Sequence, residues 1–547
     1  MAADVKMIMR ELDDLKSLRF NHDNVWQQIS DHMLPRAAEF TTFRHPGVKR
    51  RGAIFDSDPE NTLERFASGI HTTMTGEGLP WFYLRPVDER LREDRPVREW
   101  LELATRYLYT IFNSPTNRFH ATAQTMYKDL GAIGNGIMFV GDRPGRSPMY
   151  KTHFLGECWY QENEEGLVDT LFREWMWPAK KVVQKWGESA LPEAAREIVA
   201  KGGSKEFTIV HVVRPRLERR PGLIDRTNMP FESIWIIREG MKILDEGGFT
   251  DFPYIVDRWE QFSGETYGRG PGHRALADVL GLNEIERTNL KSMQLEVDPA
   301  LDVPKDGYAN RIRMYPGAVN HRKAGTAANE GVRAILSGQR RLDLSEAKAE
   351  QKRQAIRRHF YLDVFELEGP VTDKGSVIRF SATEAAIRKR DALVVLGPIF
   401  SRQKQDFLGP LIFRTLDLTI RNNLLPEPPQ VLREADVEAE YVSPLAIAQE
   451  AGDVRSILEL VEAMGPIAAI EPNVSDAFNG DAAVQIMGDR LRVPLDVLRS
   501  PEEVAERRAQ QAEQLAAEQQ AALAESQART LKDSAGAAAQ AEGEGAI

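Results

Sequence analysis

A single cysteine, Cys158, stands in 547 residues. One thiol closes no intramolecular disulfide and supplies no cysteine-based zinc site, which suits assembly in a reducing compartment. Beside Trp159 it reads as a small buried hydrophobe. No apolar run approaches 18 residues and no signal-peptide pattern occurs, so no membrane segment is expected. There is no G-x-x-x-x-G-K-S/T loop, which removes the phosphate cradle an ATP-driven motor needs. The ten histidines are scattered without H-E-x-x-H spacing, and no G-x-S-x-G elbow appears. Gly268, Gly270 and Gly272 miss the dinucleotide fingerprint, because the third glycine comes one place early and no clear parallel strand precedes it. Gly134-x-Gly136 fails in the same way and reads as a turn before a strand. Acid pairs such as Glu164-Glu165 and Glu502-Glu503 are adjacent rather than on one helical face. The chain therefore reads as a non-enzyme with no cofactor and no metal.

Positive charge is also short: 71 Lys and Arg face 82 Asp and Glu, a formal net charge of -11. That balance argues against a surface that clamps nucleic acid over its whole extent. What is present, 42% hydrophobic and 28% charged residues, is the composition of a soluble globular protein. The length calls for two or more modules.

Taken in order, Val5 to Met33 is amphipathic, with Ile8, Leu12, Leu15, Leu18, Trp26, Ile29 and Met33, and ends before Pro35. A basic, loop-like stretch to Arg51 follows. Asp58-Pro59 starts a helix with an acid at the cap and proline in its first turn, and Pro96 to Phe112 forms another. From Gly131 to Gln261 the pattern turns to short strands: Gly136–Gly141, Leu167–Glu174, Phe207–Val213, Ser233–Arg238 and Tyr254–Arg258, with one helix at Pro178–Trp186. Six tryptophans fall in this module.

Two long runs then organise the chain. Tyr267 to Pro304 opens on a Gly/Pro cluster and carries Leu276, Val279, Leu280, Leu282, Ile285, Leu290 and Met293 at three- and four-residue steps, which predicts one buried stripe on a rod of roughly 36 Å. Leu342 to Phe365 is a second rod with a sparser stripe (Leu344, Ala347, Ile356, Phe360, Val364) and a basic face of Lys348, Lys352, Arg353 and Arg357. With so little to bury, it is expected to pack against a neighbouring copy. Beyond Phe365 a polar Gly/Pro stretch precedes Ser381 and Glu384, a capping box opening a helix. Gly397-Pro398 and Gly409-Pro410 should break its hydrogen-bond ladder and bend it, at about 3 kcal/mol each. Glu427-Pro428-Pro429 is a linker, Val437–Val442 a strand, and Pro444–Ile470 and Val474–Met487 short helices. A last helix starts at Ser500 and Pro501, with Leu515, Leu523 and Leu531 eight apart, a weak coiled-coil or barrel pattern. Gly536 to Ile547 is expected to be disordered.

The phrases PWFYL (Pro80–Leu84), YGRGPGHRALADVLGLNE (Tyr267–Glu284), VDPALDVP (Val297–Pro304), SATEAAIRKRDALVVLGPIF (Ser381–Phe400) and YVSPLAIAQ (Tyr441–Gln449), in this order and spacing, carry a resemblance. From about Arg10 to about Arg508 the chain resembles the head-to-tail connector, or portal, proteins of short-tailed phages. The resemblance implies an α+β, predominantly helical fold. Its parts would be a wing over 1–261, stem helices over 262–297 and 327–366, a clip over 298–326, and a tunnel loop with kinked helix over 367–426. A return strand and crown over 427–500, a possible barrel helix over 501–535 and a loose tail over 536–547 complete it. It places Lys374 and Arg379 beside DNA at the narrowest part of a channel. Arg311, Arg313, Arg322 and Lys323 make the clip basic, for contact with DNA or with acids on a neighbour.

The same resemblance implies a homo-oligomeric, dodecameric ring at one capsid vertex of the virion, assembled in the host cytoplasm. Double-stranded DNA would pass through it independently of sequence. Terminase large subunit, then tail or adaptor proteins, would dock, beside major capsid and scaffolding proteins, with no membrane partner. Net negative channel walls with few basic contacts would keep a duplex moving. A capsid or scaffolding protein is the alternative, though it gives no reason for an appendix between two long rods.

Overall fold

The structure is a computed structural model that describes residues 4–35, 40–42, 54–78, 80–92, 94–192, 196, 205–220, 225–297, 301–302, 333–334, 342–365, 396–433, 435–442, 454–464, 478–491 and 501–543. The chain divides into two units, Met1–Ser443 and Pro444–Ile547.

In the first unit, helix α1 (Val5–Met33) starts where the Asp4 carboxylate accepts the Lys6 N–H at 3.0 Å. Its stripe serves two cores. Ile8, Met9, Leu12 and Leu15 pack on a sheet, whereas Trp26, Ile29 and Met33 join the main core. Leu18, expected in the stripe, is 77% exposed. Helix α2 (Asp58–Thr75) follows Ser57, which holds the cap position, so Asp58 does not cap as expected and instead pairs with Arg357. Strand β1 (Phe82–Pro86) and helix α3 (Arg95–Asn113) lead to α4 (Phe119–Ile133). No cap or clean stripe announces α4, because its sequence is rich in Thr and small residues. Yet Ala123, Met126, Tyr127 and Leu130 on it are fully buried at the centre of the unit.

Gly134, left-handed at φ 76°, ends α4 and turns the chain into β2 (Asn135–Gly141), as the Gly134-x-Gly136 turn predicts. β2 pairs antiparallel with β3 (Met149–His153) and β9 (Tyr254–Arg258). Strands β4 (Cys158–Glu162), β5 (Val168–Pro178), β6 (Glu206–Pro215), β7 (Phe231–Ile237) and β8 (Lys242–Phe249) form an antiparallel meander in chain order. α1 covers one face of it, and helix α5 (Ala179–Trp186) covers the other with Ala179 and Val182. Cys158 is buried and free, and burial pushes its thiol up to about 12.

The two rods are α6 (Pro271–Val297) and α7 (Leu342–His359). α7 does not run unbroken to Phe365: Tyr361 is left-handed at φ 55°, and a short α8 (Leu362–Phe365) follows. Between the rods, β10 (Leu301–Asp302) pairs with β11 (Arg333–Ala334). β11 falls inside the 327–366 span expected for the second rod, whose described helix begins at Leu342. Arg311, Arg313, Arg322, Lys323, Lys374, Arg379 and the Ser381/Glu384 box lie outside the described residues.

Residues 396–403 are helical and include Gly397 and Pro398 without a break. A widened π-turn, Lys404–Leu408, then precedes helix α9 (Gly409–Arg421). Proline 410 has no N–H to give to the carbonyl of residue 406, and the wider turn absorbs that mismatch. The ladder is widened at one Gly-Pro pair and continuous at the other, rather than broken at both. β12 (Val437–Tyr441) closes the unit by pairing with β1. In the second unit, helices span 454–464, Gly480–Leu491 and Pro501–Gly543. Arg508 grips Asp481 with two bonds of 2.6 and 2.7 Å. The last helix runs on to Gly543, into the stretch expected to be disordered, because alanine-rich sequence favours helix.

Candidate assembly site at the rooted helix pair

The Gly/Pro cluster before α6 is a crossing of backbones. A Cβ on Gly272 would lie 2.2 Å from the Ala132 carbonyl oxygen, one on Gly270 2.5 Å from that of Leu130, and one on Gly268 2.6 Å from that of Gly134. From the other side, a Cβ on Gly134 would meet the Gly270 nitrogen at 2.2 Å. Only glycines allow the chain to press this closely on the end of α4.

Polar groups lock the crossing. Asn135 accepts the Gly268 N–H at 2.7 Å, donates to the Gly268 carbonyl at 2.9 Å, and accepts the Tyr160 hydroxyl at 2.8 Å. The His273 ring lies 3.2 Å from both Trp26 Nε1 and the Gly270 nitrogen. Burial, with the nearby charge of Arg269, pushes His273 down to about 4, so the ring is neutral and accepts from one of these donors. A rod begun here leaves the core at a set angle.

The apolar stripe of α6 then divides. Ala275, Val279 and Leu282 are buried, but Leu290, Met293 and Leu295 are 44, 42 and 39% exposed and Val297 is 87% exposed. It is not one buried stripe. The near half packs inside the chain, and the far half, with exposed Leu344 of α7, offers apolar surface to solvent.

Part of α7 packs on its own chain. Ala349, Ile356 and Phe360 are fully buried, and Phe360 meets the Phe66 ring edge-on at 5.6 Å. Its basic face is mostly spent on internal acids. Lys352 Nζ lies 2.6 Å from Asp278, and His359 3.2 Å from the other oxygen of that carboxylate. Arg353 bridges Asp56 at 2.9 Å and Glu286 at 2.6 Å, and Arg357 reaches Asp58 at 2.7 Å. Lys348 alone of the four is exposed without an ion-pair partner among the described residues. Burial would raise Asp278, but its bonds from Lys352 and His359 outweigh it and hold the carboxyl below its ordinary value. The cations are legible in the sequence; their acids, on α6, at the start of α2 and just before it, are not.

The π-turn before Gly409 is tied to β9. Gln403 donates to Asp257 at 2.6 Å, and Arg258 pairs with Asp406 at 3.3 Å and with Glu162. The Gly409 N–H reaches back to the Lys404 carbonyl, the five-residue step of a π-turn.

Among the described residues, no group of three His, Cys, Asp or Glu side chains could hold a metal ion, and no helix is long and apolar enough to cross a membrane. The geometry is that of a lever rooted in the core, with exposed apolar side chains along the far half of α6.

Comparison with known proteins gives this lever a setting. The probable portal protein of Bordetella phage BPP-1 is 31% identical over 496 residues, 89% of this chain and 87% of that protein. The portal protein of Salmonella phage epsilon15 is 27% identical over 488 residues, 88% of this chain and 86% of that protein. A chain from the virion of a native gene transfer agent particle aligns over 84% of this chain and 98% of its own, at 11% identity and a TM-score of 0.33, too loose to argue from. The family described as bacteriophage head to tail connecting protein matches residues 5–498, and the chain belongs to that family.

Proposed function

We propose that the chain is the portal subunit of a phage. Copies would stand side by side in a ring, twelve by family resemblance, at one capsid vertex. Double-stranded DNA would enter under the drive of a separate terminase and leave into the tail through the same opening. The observation that carries this reading is the lever: a helix pair rooted by a glycine crossing and internal ion pairs, whose far half keeps Leu290, Met293, Leu295 and Val297 uncovered. Uncovered apolar side chains on a stiff rod are matched when the same rod of a neighbour lies alongside, and head-to-tail contacts of this kind close into rings.

In this reading residues 1–261 and the β12 segment make the wing, α6 and α7 the stem, the segment between them the clip, and residues 367–426 the tunnel loop with its kinked helix. The second unit supplies the crown, and its last helix a possible barrel. Lys374 and Arg379, with Arg311, Arg313, Arg322 and Lys323, are the cations proposed to meet phosphate or a neighbour's acids; Lys352, Arg353 and Arg357 hold the stem together instead. DNA contacts would be few and independent of base sequence. Capsid and scaffolding proteins would surround the ring, and tail or adaptor proteins would dock after terminase departs.

Class averages of the purified protein by electron microscopy, with mass from light scattering, test this. A ring with rotational symmetry and an open axis is expected. A monodisperse monomer at high concentration overturns it, and closed shells or elongated dimers would favour the capsid or scaffolding reading.

A further inference from the structure

Across the meander, Cys158, Arg173, His211, Trp235 and Asp245 are successive cross-strand partners, so one row spans all five strands on the face away from α1. Indoles surround this row. The Arg173 guanidinium lies 4.0 Å from the centre of the Trp175 ring, and Lys185 Nζ lies 3.4 Å from that of Trp235 and 4.4 Å from that of Trp186. Trp177 and Trp186 face each other at 5.8 Å and are only half-buried.

The chain as a whole is acidic, yet cations gather beside these rings. Lys151, Lys181 and Lys185 are exposed and have no ion-pair partner among the described residues. Arg173 and Lys181 lie close enough to Lys151 to act on its charge. Burial, then the positive charge of Arg173 and of Lys181, lowers Lys151, with Glu157 opposing, and burial pushes Lys185 down to about 8, with Asp245 opposing. Glu157, 2.9 Å from Arg173, offsets one charge, and Asp245 is engaged by Arg226 at 2.6 Å. Like charges held together with fewer counterions than cations gain when an anion arrives.

We propose that this face of the meander binds single-stranded nucleic acid, with Lys151, Lys181, Lys185 and Arg173 taking phosphates and the half-exposed rings of Trp177 and Trp186 stacking bases. The indoles decide between partners. An acidic polypeptide would satisfy the cations and leave the ring faces idle, and duplex bases are not free to stack on them. Contacts to phosphate and to ring faces carry no sequence preference.

The full-length protein is titrated with a fluorescent twelve-residue oligo-dT, a duplex of equal length and poly-L-glutamate. Four phosphate contacts predict a slope of log K against log salt of about -2.8 for oligo-dT, falling to about -1.4 in Lys151→Glu/Lys181→Glu. At 0.1 M salt the double variant should bind at least tenfold more weakly, with duplex binding weaker than oligo-dT in the wild type. Lys6→Glu, at the start of α1, should change neither. Should the double variant alter the elution volume, Lys181→Gln alone reads the same effect as a slope reduced by about 0.7. Equal slopes in variant and wild type overturn the proposal, since the strand is then held elsewhere on the chain. So does a duplex bound as tightly as oligo-dT, or poly-L-glutamate bound through these lysines while oligo-dT is not.

Discussion

Replacing Gly272 by alanine tests the crossing that sets the lever. The added methyl would stand 2.2 Å from the Ala132 carbonyl oxygen, where ordinary contact begins at 3.4 Å. Both sides are backbone, so neither can swing away, and α6 must retreat from α4 by more than an ångström. That retreat stretches the bonds from Asn135 to Gly268 and the contact of His273 with Trp26. Overpacking of this kind costs about 1–3 kcal/mol, and the unyielding backbone puts Gly272→Ala at the upper end. Against it stands up to about 1 kcal/mol of helix propensity, less at a first turn. The net expectation is a loss of about 2 kcal/mol. Gly281 on the same helix is the control: its nearest neighbour would be Lys352 Cε at 3.8 Å, an ordinary contact. Gly281→Ala should therefore stabilise by about 0.5–1 kcal/mol. Guanidinium unfolding followed by tryptophan fluorescence reads both, because Trp26 and Trp259 flank the root. A chain of several modules does not unfold in two states, so the comparison is of midpoints of one transition. If Gly272→Ala matches the wild type, or if Gly281→Ala is equally harmful, the close crossing is not what the glycines serve.

Two further outcomes are expected. Asp278, held below its ordinary carboxyl value, contributes to the α6–α7 pairing above about pH 4, and that contribution disappears as pH falls through the lowered value; hydrogen exchange should show α7 loosening in acid, and an α7 equally protected at pH 3 and pH 7 would contradict this. Tyr109 accepts the N–H groups of Trp81 and Phe82 at 2.7 Å and donates to the Phe82 carbonyl at 2.8 Å, so Tyr109→Phe should cost about 1–3 kcal/mol and raise amide exchange at β1. Unchanged exchange there would mean that β12 alone holds the strand.

Elements with strong local signals are legible in the residues themselves. α1 occupies the expected Val5–Met33, and β9 the expected Tyr254–Arg258. β2, β5, β6, β7 and β12 lie within a few residues of their predicted places. β1, β3, β4 and β8 are not among the expected strands, and α4 is not among the expected helices, since threonines and small residues blur the stripe of Ala123, Met126, Tyr127 and Leu130 that the core covers. The Gly/Pro cluster is plain in the sequence but its use is not, because a close approach depends on what lies opposite.

What the sequence determined alone is the periodic and the punctuated: amphipathic rods, alternating strands, proline and glycine stops, and the ordered phrases that place the chain in its family. These depend on neighbours within a turn or two. Tertiary structure decided which half of α6 is covered, that Lys352, Arg353 and Arg357 are spent on acids from distant segments, and that Ala123, Met126, Tyr127 and Leu130 of α4 lie in the core. Burial and ion pairing are relations between segments distant in the chain, and local pattern carries no record of them.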